Sequence, residues 1–211
     1  MDRQVKYPQK SLSHWILLAV ALFATAWSAW NPIDYATWAF ELVPGGIATA
    51  VLLWLAFTGR FCFTSIVYVF AAMQFVILAC GAKYSYAEMP LFNWLRDEFH
   101  LSRNYFDRVG HFFQGVSPAL VVRELLVRRS NIRPRWAGFL GVSVALAFSA
   151  CYELLEWRWV VAFYPDQGPE WLGMQGDPWD AQGDMLMALC GALVATLVLS
   201  CWQDRQLARR S

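Results

Sequence analysis

Apolar residues run along this chain in long blocks. They do not form the 3.6-residue stripe of a soluble amphipathic helix or the alternation of a half-buried strand. The blocks cover about 13–30, 35–57, 61–81, 106–127, 136–163 and 181–202. About 20 helical residues cross the roughly 30 Å hydrocarbon core of a bilayer. The pattern therefore predicts an all-α fold, a polytopic membrane helical bundle of about six transmembrane helices. Asn31-Pro32-Ile33-Asp34 and Gly59-Arg60 read as turns, and Pro44-Gly45-Gly46 as an interruption or kink of the second span. Between the third and fourth spans, Leu91, Phe92, Trp94, Leu95 and Phe99 interleave with Arg96, Asp97 and Glu98. That interleaving predicts a short amphipathic helix lying on the membrane surface.

Composition agrees. Hydrophobic residues make up 58% of the 211 and charged residues 16%, against about 25% charged in soluble chains. The spans and their loops use nearly the whole length, so residues 1–211 form a single transmembrane domain with membrane lipids as its surroundings. A formal net charge of +1 gives no reason to expect nucleic acid as a partner. Cys62, Cys80, Cys151, Cys190 and Cys201 show no ligand spacing and read as core or lipid-facing residues. Many tryptophans, Trp30, Trp94, Trp136, Trp157 and Trp202 among them, fall near span boundaries, where indoles anchor helix ends. Ala26-Trp27-Ser28 imitates a signal-peptide cleavage site, but the polytopic remainder favours an uncleaved first helix.

The distribution of Lys and Arg sets an orientation. Arg3, Lys6 and Lys10, then Arg60, then Arg128, Arg129, Arg133 and Arg135, then the tail with Arg205, Arg209 and Arg210, all fall on one side of six spans. The other side has the mixed stretch 83–105 and loop 164–180, which contains no Lys or Arg. The basic side is expected to be cytoplasmic, with both termini there, in a bacterial inner membrane.

In that frame the intramembrane acids gather at one end. Asp107 and His111 open the fourth span, Glu153 and Glu156 lie roughly 10–15 Å below the outer end of the fifth, and Asp177, Asp180 and Asp184 lead into the sixth. Within each span the partners stand three or four residues apart and share a helix face. An unpaired carboxylate in hydrocarbon costs several kcal/mol, so these faces should point at one another across the bundle. They must then share protons, pair with Arg108, Lys83 or Arg158, or hold a metal. One imidazole among carboxylates suits a divalent ion such as Zn²⁺, Mn²⁺ or Fe²⁺, or Ca²⁺ with added waters. Lys83, Tyr84, Tyr86 and Glu88 read as an aromatic belt with solvated charges, and Arg123 and Glu124 as a snorkelling pair at the cytoplasmic end.

The strings Tyr84-Ser85-Tyr86-Ala87-Glu88-Met89-Pro90, Asp107-Arg108-Val109-Gly110-His111-Phe112, Cys151-Tyr152-Glu153-Leu154-Leu155-Glu156-Trp157 and Gly176-Asp177-Pro178-Trp179-Asp180 resemble the bacterial inner-membrane family typified by YjdF. The resemblance implies a multi-pass membrane protein without an assigned activity. A weaker resemblance is to VanZ-like membrane proteins, through Asp107, Arg108, His111 and Phe112, then Glu153 or Glu156, then Asp180 and Asp184 with Gly191. Ala188 stands where those proteins usually carry Asn. That likeness implies a cell-envelope role.

Three functional readings follow. The leading one is an envelope protein with a carboxylate–histidine site in the outer membrane half, holding a divalent metal ion and acting on a lipid or lipid-linked substrate. Asp107, His111, Glu153, Glu156, Asp180 and Asp184 would be its catalytic residues, and the same residues with Asp177 its metal ligands. A small proton-coupled transporter with Glu153 and Glu156 as relay is the second. The absence of an expected acid in the cytoplasmic half of the last three spans counts against it. A structural or assembly protein with an internal polar network is the third.

Overall fold

In a computed structural model the chain is described over residues 12–130, 132–163 and 174–209. The basic lead, loop residues 164–173 and Arg210 lie outside the described residues. The described residues form helices and no strand: α1 (Leu12–Ala29), α2 (Tyr35–Phe57), α3 (Ser65–Tyr84), α4 (Pro90–Glu98), α5 (Phe106–Arg129), α6 (Pro134–Phe163) and α7 (Asp180–Ala208). A single 3₁₀ turn, Met174–Gly176, precedes α7, and a π-helical segment, Ala195–Leu199, interrupts α7.

Five of these, α1, α2, α3, α6 and α7, are long and apolar enough to cross a membrane. The fourth expected span, α5, has the length, 24 residues, but not the apolarity. It carries Asp107, Arg108, His111, Gln114, Arg123, Glu124 and Arg128. Its place in the fold explains how it bears them, because it packs against α3, α6 and α7. Its charges meet protein partners, the condition under which ionisable groups persist in a membrane bundle. The lipid-facing residues lie elsewhere: Leu22, Phe23, Ile47, Phe139, Leu154, Leu197 and Val198 are all exposed.

Small residues let α5 and α7 approach to backbone contact. A side chain at Gly115 would meet the backbone of Ala188, and one at Gly191 the backbone of Phe112 and Val116. Gly141 of α6 lies against the backbone of Ala119 in the same way. This is the close packing that membrane helices use where hydrophobicity cannot drive association. On the other side, α1 and α2 pack on α3, and α3 joins the two halves by packing on α5.

Some expectations change here. α2 is continuous through Pro44, so the predicted interruption at Pro44-Gly45-Gly46 is absent; Gly45 instead takes the Leu78 side chain of α3. Arg123 and Glu124 do not snorkel. Glu124 is fully buried and accepts from Thr64 N (2.9 Å), Thr64 Oγ1 (2.5 Å), Arg128 Nη1 (2.9 Å) and Gln203 Nε2 (3.3 Å). Arg123 donates to Gln203 Oε1 (2.9 Å) and Asp204 Oδ2 (3.0 Å). An isolated charge pair would have been drawn to the interface. This one has neighbours at the N-cap of α3 and on α7 to satisfy it, which a reading of one helix could not show. An acid therefore does lie at the opposite end of α5, wired into a separate ionic network.

The short amphipathic helix is present. α4 has no buried residue, and Leu91 and Trp94 stand exposed on it. It is tied to the start of α5, where Asn104 Nδ2 donates to Asn93 Oδ1 (2.8 Å) and Phe92 lies 5.2 Å from the Phe106 ring.

Candidate functional site

The site is built where α5 and α7 begin and α6 nears its end. His111, on the second turn of α5, is the centre. Its Nε2 lies 3.5 Å from Asp107 Oδ1 and 3.7 Å from Asp184 Oδ1, and its Nδ1 lies 3.6 Å from Glu153 Oε1. Asp107, His111 and Asp184 are all buried. Each offers a ligand atom within 4.8 Å of the other two, making them a group with the spacing to hold a metal ion among the described residues. Three helices thus meet at one imidazole, as the i, i+4 and i, i+3 spacings required.

The other predicted residues divide. Asp177 and Asp180 are held by arginines: Arg103 Nη1 lies 2.6 Å from Asp180 Oδ1 and 3.2 Å from Asp177 Oδ2, and Arg108 Nη2 lies 2.9 and 3.2 Å from the same two oxygens. Arg108 also pairs with Asp184 and donates to the Asp180 carbonyl. Asp177 Oδ1 accepts from the Trp179 backbone N–H (2.9 Å), which holds its carboxyl below the ordinary carboxylate range. Glu156 faces a small cavity of about 30 Å³ with Glu41, Tyr86, Asp107, Gln114 and Tyr152, enough for an ordered water or an ion.

Several participants were missed. Arg103, in the segment before α5, is 4% exposed and spans Asp107, Asp177 and Asp180. Its place four residues before Asp107 was a usable signal. Glu41 accepts from Tyr152 Oη at 2.6 Å, bringing α2 to the cluster. Tyr86 is buried and not a belt residue; its ring fills the space left by Gly81 and abuts Gly110. Ser85 and Tyr86 both take positive φ to turn it inward. Of the proposed cationic partners only Arg108 belongs. Lys83 Nζ donates to the carbonyls of Trp27 and Trp30, capping the end of α1. Arg158 lies over the Trp157 ring at 5.4 Å. Gln175, which no motif or periodicity marks, clasps the Asn104 backbone: its Oε1 accepts from N (2.8 Å) and its Nε2 donates to O (2.9 Å). That clasp fixes the segment carrying Arg103 against the entry to α7.

Charge decides what the cluster can do. Asp107, Asp177, Asp180, Asp184, Glu41, Glu153 and Glu156 outnumber Arg103, Arg108 and His111. Coulomb repulsion at these separations is worth kcal/mol even at an effective dielectric constant of about 20. The arrangement therefore seeks further positive charge, either protons or a cation.

Residues 13–205 match the family described as "Predicted membrane protein (DUF2238)". The chain is similar to "Inner membrane protein YjdF" of Escherichia coli (strain K12), 42% identical over 177 residues that cover 83% of each chain. No solved structure matches. The chain belongs to the DUF2238 membrane protein family, in keeping with the YjdF-type resemblance. These comparisons do not show the VanZ-like one.

Proposed function

We propose that this DUF2238 membrane protein holds one divalent metal ion between Asp107, His111 and Asp184 and uses it on the head of a lipid or lipid-linked envelope substrate. The observation that carries the reading is the buried three-residue group whose ligand atoms lie within 4.8 Å of one another. Two carboxylates and an imidazole suit Zn²⁺, Mn²⁺ or Fe²⁺, and three protein ligands leave a position open, as in catalytic sites. Glu153, at Nδ1 of His111, would orient the imidazole and fix its tautomer. Asp177 and Asp180 hold the arginines in place. A metal at this site would lower the pKa of a bound water and ready it to attack a phosphate or ester, with Glu156 across the cavity to take the proton.

Metal analysis of the purified protein tests this. Near-stoichiometric Zn²⁺, Mn²⁺ or Fe²⁺ is expected in the wild type, with most of it lost in His111→Ala and Asp184→Asn. A wild-type protein that takes up none of these ions when they are supplied would sink the reading.

The inner-membrane setting is that of the relative named above. The orientation, with the acid cluster toward the outer face and both termini cytoplasmic, is proposed from the Lys and Arg distribution. Reporter fusions after Arg60, Arg135 and Ser211 should report cytoplasm, and fusions near Asn93 and Pro169 the outside. A cytoplasmic signal at Asn93 would reverse the assignment.

A further inference from the structure

Below the acid–histidine cluster, an apolar groove of about 350 Å³ runs between α2, α3, α5 and α6. We propose that it seats one hydrocarbon chain of a membrane lipid whose head carries an amine. The proposal rests on the reading of the cluster as a lipid-head site, but not on the metal.

The groove has the size of a ligand pocket, and Gly45, Ala48, Ala71, Phe75, Val121 and Phe148 are among its walls. From Glu41 at its upper end to Leu52 near its lower end, α2 rises about 16 Å, close to half the roughly 30 Å hydrocarbon core. That is the depth of one leaflet. Water is a poor occupant of so apolar a space, since an ordered water needs about three polar partners. The medium on the open side is hydrocarbon. α2 packs chiefly on α1 and α3. It is joined to α6 at the top of the groove, by the Glu41–Tyr152 hydrogen bond and by Phe40 stacked 4.8 Å from Trp159. A chain can therefore enter sideways beneath that joint.

The upper end fixes the head chemistry. Glu41, Gln74, Leu78, Gln114 and Tyr152 line both the groove and the small polar cavity above it, so the two adjoin. The cavity presents the carboxyls of Glu41, Asp107 and Glu156 against the single imidazole of His111, with no Lys or Arg in its wall. The Gln74 side-chain carbonyl is buried there without a donor. An ammonium head supplies both the charge and the N–H groups this wall lacks, whereas a head bearing only a phosphate would meet like charge.

Native mass spectrometry of the delipidated full-length protein tests the proposal, with phosphatidylethanolamine or phosphatidylglycerol of identical chains added back. The expected result is one tightly retained phosphatidylethanolamine, preferred about tenfold or more over phosphatidylglycerol. Retention should fall with short-chain versions of the same lipid, which requires no mutation. Ala48→Phe should block the groove and abolish retention, while Leu22→Phe on the lipid-facing side of α1 should not. Glu41→Gln should shrink the head-group preference and leave long-chain binding. Equal retention of the two lipids, or no dependence on chain length, would overturn the proposal. Lipid preference without metal uptake would defeat the metal reading alone, and metal uptake without lipid preference would defeat this one alone.

Discussion

Arg108→Met should cost about 3–5 kcal/mol of stability, read as a large drop in the unfolding midpoint in mild detergent. The guanidinium is shared among Asp177, Asp180 and Asp184, and the last two are almost fully buried. Methionine fills much of the volume but leaves Asp177 and Asp180 to Arg103 and Asp184 to His111, all beside Asp107. The loss should be mostly electrostatic, so Arg108→Met combined with Asp184→Asn should recover a good part of it. A double variant no better than the single one would mean that Arg108 acts mainly by packing, notably against Gly183, whose missing side chain leaves room for the guanidinium.

The second large effect is expected at the other end of α5. Glu124→Ala should also destabilise by about 3–5 kcal/mol, because it strands the Thr64 N–H and takes from Arg128 its carboxylate partner. Glu124→Gln keeps an acceptor for Thr64 and loses only the charge, so it should cost about half as much. Equal losses in the two variants would show that the ion pair, not the hydrogen bonds to Thr64, holds this end of α3 to α5.

The spans and the acid cluster were legible in the sequence for different reasons. Long apolar blocks locate helices whatever their neighbours, and the period of a helix put Asp107 with His111, Glu153 with Glu156 and Asp180 with Asp184 on common faces. The cost of burying a carboxylate then required those faces to meet, and His111 lies between all three helices. What failed to show was anything set by a neighbour. Glu124 read as interfacial because its partners, Thr64 and Gln203, come from distant parts of the chain. Tyr86 read as a belt residue because only the space at Gly81 and Gly110 draws it inward. Arg103 sits in a connecting segment, where no periodicity speaks for it.

The glycine seam between α5 and α7 has a mechanical consequence. Backbones in contact at Gly115 and Gly191 leave no slack for sliding or tilting, so these two helices form a stiff beam that carries His111, Asp107 and Asp184 without changing their spacing. α2 is the contrasting part. Releasing its upper end from α6 requires breaking the Tyr152–Glu41 hydrogen bond, at about 1.5–3 kcal/mol, and parting two aromatic rings. Breathing at the groove should therefore be a swing of α2 as a leaf against a fixed frame, with the geometry around the imidazole undisturbed while the leaf is open.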